Sequence, residues 1–240
     1  MEASDMSGDF DYDFNGNTYE GFVARPATDG DSALVLVAHA WGGLGDHEKE
    51  AAARLARLGY TGFAIDVYGK GKRGTSVEEN QALMNPLASD RDELQARLKA
   101  SLDAGLSLGN IDQSRSAIIG YCFGGMCAFD LARTGADIRG AVSFHGLFAA
   151  PGNQAETKIT SKVLALHGWS DPMAKPEDVI AFGKEMDSKG ANWQVHAYGD
   201  TFHSFTKKGA NDRAAGQEYS ADADRRSWRA MQNFLEEVFG

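Results

Sequence analysis

Cysteine is scarce in this chain, which has two cysteines among 240 residues. Cys122 and Cys127 lie five positions apart, a spacing that matches neither the Cys-x-x-Cys of redox proteins nor a pair of zinc ligands. We therefore expect both thiols to stay free in a reducing compartment, with Cys127 serving only in packing. Nothing in the cysteine pattern calls for a metal ion.

Long apolar runs are also missing, since no window approaches the ~18 consecutive apolar residues of a membrane span. Residues 1–5 are acidic and polar and lack the basic and apolar regions of a secretory signal. Basic residues number 24 against 34 acidic ones, for a formal net charge of −10, which repels phosphate backbones and anionic membranes. We expect a cytoplasmic protein, a monomer or small homo-oligomer, with no nucleic-acid or membrane partner.

Hydrophobic residues make up 42% of the chain, which is ample material for a core. Strand-like and helix-like segments alternate, which predicts βαβ units in a mainly parallel central sheet flanked by helices on both faces. We expect one α/β domain over residues 1–240, because this length is usual for a single sheet-based domain. The predicted strands are 33–38, 62–67, 116–121, 139–144, 162–167 and 193–198, and the predicted helices are 46–58, 90–106, 123–133, 175–188 and 221–238.

Local signals add detail to this sheet. Asn15 and Gly16 form a turn pair between two alternating segments, which predicts an amino-terminal antiparallel hairpin at the sheet edge. In the predicted helix 90–106 a leucine recurs at every fourth residue, which predicts one apolar stripe against the sheet. We interpret the basic segment 70–73 as a solvated loop, with local attraction of an acidic substrate as the alternative. The polar segment 209–220 is interpreted as an irregular surface loop.

The most informative motif runs from Gly120 to Gly125 and places Cys122 between a predicted strand and a predicted helix. It is the Gly-x-Ser-x-Gly nucleophile elbow of α/β-hydrolases with cysteine in place of serine. The glycines keep side chains out of a strained turn, so a bulky residue at Gly120 or Gly124 should close it. A thiol supplies some thiolate at neutral pH and is a strong nucleophile. The alternative is a buried structural cysteine.

The order of the later residues favours the catalytic interpretation. An elbow predicts an acid after a later strand and a histidine after the last one, and Asp171 and His203 each follow a predicted strand end. Parallel strands carry such loops at the same edge of a sheet. We expect His203 to take the proton of Cys122 and Asp171 to orient the imidazole. Asp200 is the competing candidate for the acid.

The glycine-rich turn after the first buried strand predicts an oxyanion hole. Acyl transfer needs N–H donors aimed at the developing negative oxygen, one after the nucleophile and one from an early loop. These donors would be the backbone N–H groups of Phe123 and Trp41, with Gly42 and Gly43 permitting close approach. An ordinary strand-to-helix turn is the alternative.

The motifs Gly-Tyr-Cys-Phe-Gly-Gly, His-Gly-x-x-Asp-Pro and His-Ser-Phe, in that order, resemble those of the dienelactone hydrolase family. The resemblance runs from about Phe22 to Phe239. It implies an α/β-hydrolase fold, a triad of Cys122, Asp171 and His203, and hydrolysis of a small lactone or ester through an acyl-cysteine, without a cofactor.

Two positions depart from the pattern that the resemblance implies. Ala40 stands where family members that open dienelactones often carry a glutamate, and His39 is the candidate substitute. Lys207 stands where the family pattern has arginine, which keeps a positive charge for a substrate carboxylate but loses the bidentate fork. Trp169 and Phe205 are expected to line the substrate pocket together with Lys207.

The sequence thus predicts a dienelactone hydrolase-like carboxylic ester hydrolase of the carboxymethylenebutenolidase type. A general carboxylesterase or thioesterase of the same fold is the nearer alternative, and Ala40 favours it. A non-catalytic small-molecule binding protein is the alternative from another class, because one fold hosts many functions. Thiol redox sensing at Cys122 would need a resolving thiol, for which Cys127 is badly placed.

Overall fold

A computed structural model describes residues 7–153 and 156–240. The polar amino-terminal segment 1–5 lies outside these described residues. The chain forms two compact units, the first ending at Ile118 and the second beginning at Ile119.

Ten strands and six helices occur in the described part of the chain. The strands are β1 (Ser7–Phe14), β2 (Asn17–Ala24), β3 (Ser32–Ala38), β4 (Thr61–Ile65), β5 (Ile111–Tyr121), β6 (Gly140–Phe144), β7 (Lys162–Gly168), β8 (Asn192–Tyr198), β9 (Asn211–Asp212) and β10 (Gln217–Glu218). The helices are α1 (Asp46–Arg57), α2 (Val77–Ser89), α3 (Arg91–Leu106), α4 (Phe123–Arg133), α5 (Pro176–Ser188) and α6 (Ala221–Phe239).

Eight of the strands form one sheet in the order β1-β2-β4-β3-β5-β6-β7-β8. Strand β3 runs parallel to β4, and β6, β7 and β8 run parallel to one another. The amino-terminal strands break this pattern, since β1 and β2 pair antiparallel and β2 is antiparallel to β4. The predicted α/β-hydrolase fold, with a mainly parallel sheet and an amino-terminal antiparallel hairpin, is confirmed.

In the first unit, helices cover both faces of the sheet. A Cβ at Gly62 of β4 would lie 2.4 Å from the carbonyl oxygen of Ala52 in α1, so the two elements touch through backbone. Phe63 is the next residue of β4, and its ring lies against Gly105 of α3. Consecutive strand residues point to opposite faces. Helices α1 and α3 therefore lie on opposite sides of β4.

The second unit repeats this arrangement around β6. The ring of Phe234 in α6 reaches the space beside Gly140, whereas the hydroxyl of Ser143 lies beside Gly125 in α4. Positions 140 and 143 of a strand face opposite sides. Helices α4 and α6 thus sandwich β6, and the end of β6 is fixed against the start of α4.

The hairpin of β1 and β2 turns at the predicted pair, where Asn15 and Gly16 both adopt positive φ, 49° and 73°. Such values are required by the tight turns that match strand twist. Strand β1 lies at one end of the sheet and exposes Asp9, Asp11 and Asp13 in alternation with half-buried aromatic residues.

The leucine stripe of α3 is confirmed, since Leu94, Leu98 and Leu102 are buried and Leu106 is partly buried. Helix α2 was not predicted, although its start carries a capping signal. Ser76 accepts a hydrogen bond from the N–H of Glu79, and the Glu79 carboxylate accepts one from the N–H of Thr75.

The basic segment 70–73 is bonded within the first unit. Lys70 pairs with Asp11, and Arg73 pairs with Glu20 and also donates to the carbonyl oxygen of Leu44. The interpretation of this segment as only a solvated loop is therefore wrong for Arg73. Its guanidinium joins this loop to the loop that follows β3.

No helix among residues 7–153 and 156–240 has the length and apolar character needed to cross a membrane.

Candidate active site

Cys122 sits on a sharp turn between β5 and α4, where it is the residue just before the first helical turn. Its φ of 56° and ψ of −115° belong to a strained region that a non-glycine residue rarely adopts. The Cys122 N–H donates to the carbonyl oxygen of Phe144 at 3.0 Å, and its carbonyl oxygen accepts from Gly125 N–H at 2.9 Å. The side chain is partly exposed, at the helix end that favours negative charge.

Gly120 is sterically required for this turn. A Cβ at position 120 would lie 2.0 Å from the carbonyl oxygen of Gly124 and 2.3 Å from its carbonyl carbon, far inside van der Waals contact. The backbone of α4 thus crosses directly over the end of β5. The close crossing is the geometry that holds a nucleophile clear of the sheet.

Asp171 and His203 meet through a short buried hydrogen bond. The Nδ1 atom of His203 lies 2.7 Å from Oδ2 of Asp171, and both residues are at most 2% exposed. The other carboxylate oxygen, Oδ1, accepts from the N–H of Met173 at 2.8 Å. The carboxylate is therefore fixed on both sides and holds the imidazole in the tautomer with the proton on Nδ1.

Asp200, the competing acid, lies elsewhere. Its side chain is 80% exposed and pairs with Arg213 at 2.6 Å. Asp200, three residues before His203, and Ser204, directly after it, adopt positive φ, 45° and 59°. The backbone on either side of His203 is therefore sharply bent. Strained residues of this kind often cluster at functional sites.

The charges of Cys122 and His203 are linked. Burial by itself lowers the pKa of His203, but the negative charge of the Cys122 sulfur, together with the hydrogen bond to Asp171, raises the pKa of His203 to about 10. The Nε2 atom of His203 is buried and forms no well-aligned hydrogen bond among the described residues. Contacts between a nucleophile and its base are often loose before substrate binds.

Two further histidines of the second unit are buried, and one of them lies against His203. The ring of His145 is 5.1 Å from that of His203 in an edge-to-face contact, and its Nε2 lies 2.8 Å from the Thr206 hydroxyl. His167 is fully buried, and neither of its ring nitrogens has a hydrogen-bond partner in the described part of the chain. Burial lowers the pKa of His167 and keeps its imidazole neutral.

The loop that carries Trp41 belongs to the first unit and is held by a buried carboxylate. Glu48 of α1 accepts from Ala40 N–H at 3.3 Å through one oxygen and from Gly45 N–H at 3.0 Å through the other. The carbonyl oxygen of Trp41 accepts from the Tyr68 hydroxyl at 3.0 Å. No hydrogen bond within residues 7–153 and 156–240 uses the Trp41 N–H.

His39, which precedes this loop, is engaged in structural bonds. Its Nδ1 lies 2.7 Å from the carbonyl oxygen of Ala40, and its Nε2 accepts from Val67 N–H at 3.2 Å. Both ring nitrogens are therefore used within the first unit. His39 thus has no free ring nitrogen with which to replace the glutamate whose position Ala40 occupies.

The residues predicted to contact substrate differ in exposure. Trp169 is 48% exposed, and Lys207 is exposed as well. Phe205 has no exposed surface and packs edge-on against His145 and Tyr198, with ring centroids 5.0 and 5.7 Å away. Phe123, whose N–H is a predicted oxyanion donor, is buried at the start of α4.

The sequence interpretation missed Glu48 and His145. Glu48 could have been noticed as an acid in the first turn of a helix, three residues after Gly45, which is the spacing of a capping carboxylate. No local signal distinguishes His145, because its contact with His203 joins residues 58 positions apart. The described residues contain no cluster of three or more side chains suited to a metal ion.

Comparisons with known proteins point to one family. The model of the dienelactone hydrolase family matches residues 19–239. A solved structure titled dienelactone hydrolase-like promiscuous phosphotriesterase, from metagenomic libraries, is 35% identical, with a TM-score of 0.91 and 98% of each chain covered. Another, titled m3DLH, is 34% identical with a TM-score of 0.92, again over 98% of each chain.

A curated relative from Aquifex pyrophilus, named protein usf, is 27% identical and covers 84% of this chain and 88% of its own. Because the family model spans nearly the whole chain and the two solved structures share both sequence and fold with it, the protein belongs to the dienelactone hydrolase family and is a hydrolase.

Proposed function

We propose that the protein cleaves a small lactone or ester of the dienelactone type through an acyl-cysteine intermediate on Cys122, Asp171 and His203. The observation that carries the proposal is the buried hydrogen bond between His203 and Asp171. The pKa of the same His203 imidazole is also raised by the charge of Cys122. A nucleophile, a base and an orienting acid in this relation form the minimal apparatus for acyl transfer.

In the proposed first step the Cys122 sulfur, as thiolate, attacks the carbonyl carbon of the substrate. The carbon–oxygen bond of the ester breaks, and the leaving oxygen takes the proton from the His203 imidazolium. The raised pKa of His203 favours the state in which this proton already resides on the ring. Water then attacks the thioester, His203 accepts its proton, and the thiolate departs.

The oxyanion of each tetrahedral intermediate needs donors. We assign this role to the backbone N–H groups of Trp41 and Phe123, one from the loop after β3 and one from the first residue of α4. The Trp41 N–H makes no bond to described residues, which leaves it available to a ligand.

For substrate contacts we retain Trp169 and Lys207 of the three residues predicted from the sequence. Trp169 and Lys207 present exposed surface, an apolar ring and a positive charge suited to a small substrate with a carboxylate. Phe205 has no free surface, so we assign it to holding His145 in place beside the site. No cofactor takes part, and we place the enzyme in the cytoplasm, where thiols stay reduced.

A mass measurement tests the acyl-cysteine directly. Cys122→Ala should lower turnover of a chromogenic ester by ~10³-fold or more and abolish the acyl adduct on the protein. Cys127→Ala is the matched control, because this second thiol is buried in α4, and it should retain both turnover and adduct. Full turnover by Cys122→Ala would end the proposal.

A substrate panel separates the alternatives. It contains a dienelactone, a simple aryl ester, a thioester and a phosphotriester, the last because one similar solved structure is titled a phosphotriesterase. The proposal expects the highest kcat/KM for the dienelactone. A preference for the simple ester or thioester would favour the general esterase alternative, and stoichiometric binding without product would favour a binding protein.

A further inference from the structure

The segment after His203 forms a short hairpin whose backbone is hydrogen-bonded to the backbone of His203. Strand β9 pairs with β10, and the N–H of His203 donates to the carbonyl oxygen of Gly216 at 3.0 Å. The carbonyl oxygen of His203 accepts from the N–H of Glu218 at 3.1 Å. Both backbone polar groups of His203 are therefore bonded to this hairpin, so the position of the imidazole depends on it.

The same hairpin touches the loop of the acid. Gly216 is the buried residue of its turn, with φ of 76°. A Cβ at position 216 would lie 2.1 Å from Cγ of Pro172 and 2.6 Å from Cδ. Pro172 directly follows Asp171, so the Gly216 backbone lies against the ring that adjoins the carboxylate, while its carbonyl oxygen holds His203.

We propose that Gly216 is a positioning residue, which sets the spacing between Asp171 and His203 by contacting the loops of both. This rests on the proposed function, since the spacing matters only if these two residues act on Cys122. The absence of a side chain lets the hairpin approach Pro172 closely enough to place the imidazole 2.7 Å from the carboxylate.

Hydrogen bonds weaken steeply when their length or angle is disturbed. A side chain at position 216 would have to displace Pro172 or the hairpin, and either movement separates the two partners. Misplacement of a catalytic group by ~1 Å can cost ~100-fold in rate. The displacement affects the transition state far more than the binding of the substrate's remote parts, so kcat should fall while KM changes little.

A purely conformational role for Gly216 predicts a different outcome. Positive φ disfavours any side chain, whatever its surroundings. Gly209, in the same segment, has φ of 92° and nothing within 4 Å of a built Cβ. Gly209→Ala therefore introduces the same type of backbone strain without a collision, and it serves as the matched control.

The test compares Gly216→Ala with Gly209→Ala, Pro172→Ala and the double variant Gly216→Ala/Pro172→Ala. Pro172→Ala removes Cγ and Cδ and leaves only a Cβ at the 3.6 Å distance of ordinary contact. We expect Gly216→Ala to lose at least ~10-fold in kcat with KM within ~2-fold, and the double variant to return to within ~3-fold of Pro172→Ala. Gly209→Ala should keep wild-type kcat.

A second readout needs no turnover. The proton on Nδ1 of His203, which donates to Asp171, is followed by proton NMR in histidine-labelled protein. Its hydrogen-bonded resonance should move upfield or broaden in Gly216→Ala and recover in the double variant. If the wild-type protein fails to hydrolyse any ester, the proposed function fails, whereas this resonance still tests the role of Gly216.

The remaining outcomes for kcat and for folding each support or overturn the role of Gly216. Equal kcat in Gly216→Ala and Gly209→Ala overturns the proposal, and so does a double variant as impaired as Gly216→Ala. If Gly216→Ala does not fold but the double variant does, the contact with Pro172 is supported. If neither folds while Gly209→Ala does, the backbone conformation alone explains the glycine and the proposal is wrong.

Discussion

Arg133 and Glu185 form a bidentate ion pair, in which Nε of Arg133 lies 2.9 Å from Oε1 of Glu185 and Nη2 lies 2.7 Å from Oε2. Arg133 has no exposed surface, and its guanidinium also donates to Asp130 at 3.1 Å and to the carbonyl oxygen of Phe148 at 2.9 Å. This cluster ties α4, which carries Cys122 at its start, to α5 and to the loop after β6.

Replacing Arg133 should destabilise the protein strongly. Arg133→Met leaves the Glu185 carboxylate, 14% exposed, without its partner, and we expect the free energy of unfolding to fall by about 3 kcal/mol. The exposed pair of Arg225 and Asp222 provides the control, since Arg225→Met should cost less than about 0.5 kcal/mol. Urea titration measures both, and similar losses in the two variants would contradict the prediction.

Glu48 should make stability depend on pH. Burial raises the pKa of Glu48 to about 7, against the opposing hydrogen bonds from Gly45 and Ala40 and the charge of Arg73. At pH values between 4.5, the ordinary pKa of glutamate, and about 7, Glu48 keeps its proton in the folded protein but has lost it in the unfolded chain. Stability contributed by this group therefore falls as pH rises through that window.

Glu48→Gln removes this dependence. We expect the variant to gain about 3 kcal/mol relative to wild type between pH 4.5 and pH 8, because each pKa unit is worth about 1.4 kcal/mol. Thermal unfolding of both proteins across this range is the measurement. Glu50→Gln, at an exposed position of the same helix, removes an equal charge and is the control. Identical pH profiles for the two variants would refute the prediction.

Asp171 and Asp200 should differ sharply in their effect on turnover. Asp171→Asn replaces the acceptor of the His203 Nδ1 proton with an amide that favours the wrong tautomer, so we expect kcat to fall by ~10³–10⁴-fold. It should also lower the pKa of His203, because the Asp171 carboxylate raises it.

Asp200→Asn removes an exposed ion pair with Arg213 and should leave kcat within ~2-fold of wild type. Steady-state kinetics on one ester measures both variants, with NMR titration of His203 as the second readout. A greater loss in Asp200→Asn than in Asp171→Asn would reverse the assignment of the acid.

The predictable part of the fold came from strong local periodicity. Strands such as β7 are continuous apolar runs of the kind that parallel sheets bury, and the elbow around Cys122 is fixed by steric demands that only glycine meets. The order of elbow, acid and histidine then predicted which side chains meet. Asp171 and His203 do meet, 32 positions apart in the chain.

The elements that escaped prediction have weak or nonlocal signals. Helix α2 has a charged amino-terminal turn and Pro86 within its last turns, so its apolar periodicity is poor, although Ser76 and Glu79 mark its start. Strands β9 and β10 are two residues each, too short for an alternating pattern. The contact of Gly216 with Pro172 depends entirely on how distant loops fold together.

The carboxylates along β1 protect the molecule from growing into fibrils. An outer strand offers unpaired backbone groups to any passing chain, and a second β1 docking there would bring charged side chains, rather than apolar ones, face to face. Asp9, Asp11 and Asp13 recur on every second residue of that margin, and Lys49 and Lys70 neutralise two of them from within the same chain rather than from a neighbour. Extension of the sheet by pairing of two β1 strands is therefore disfavoured.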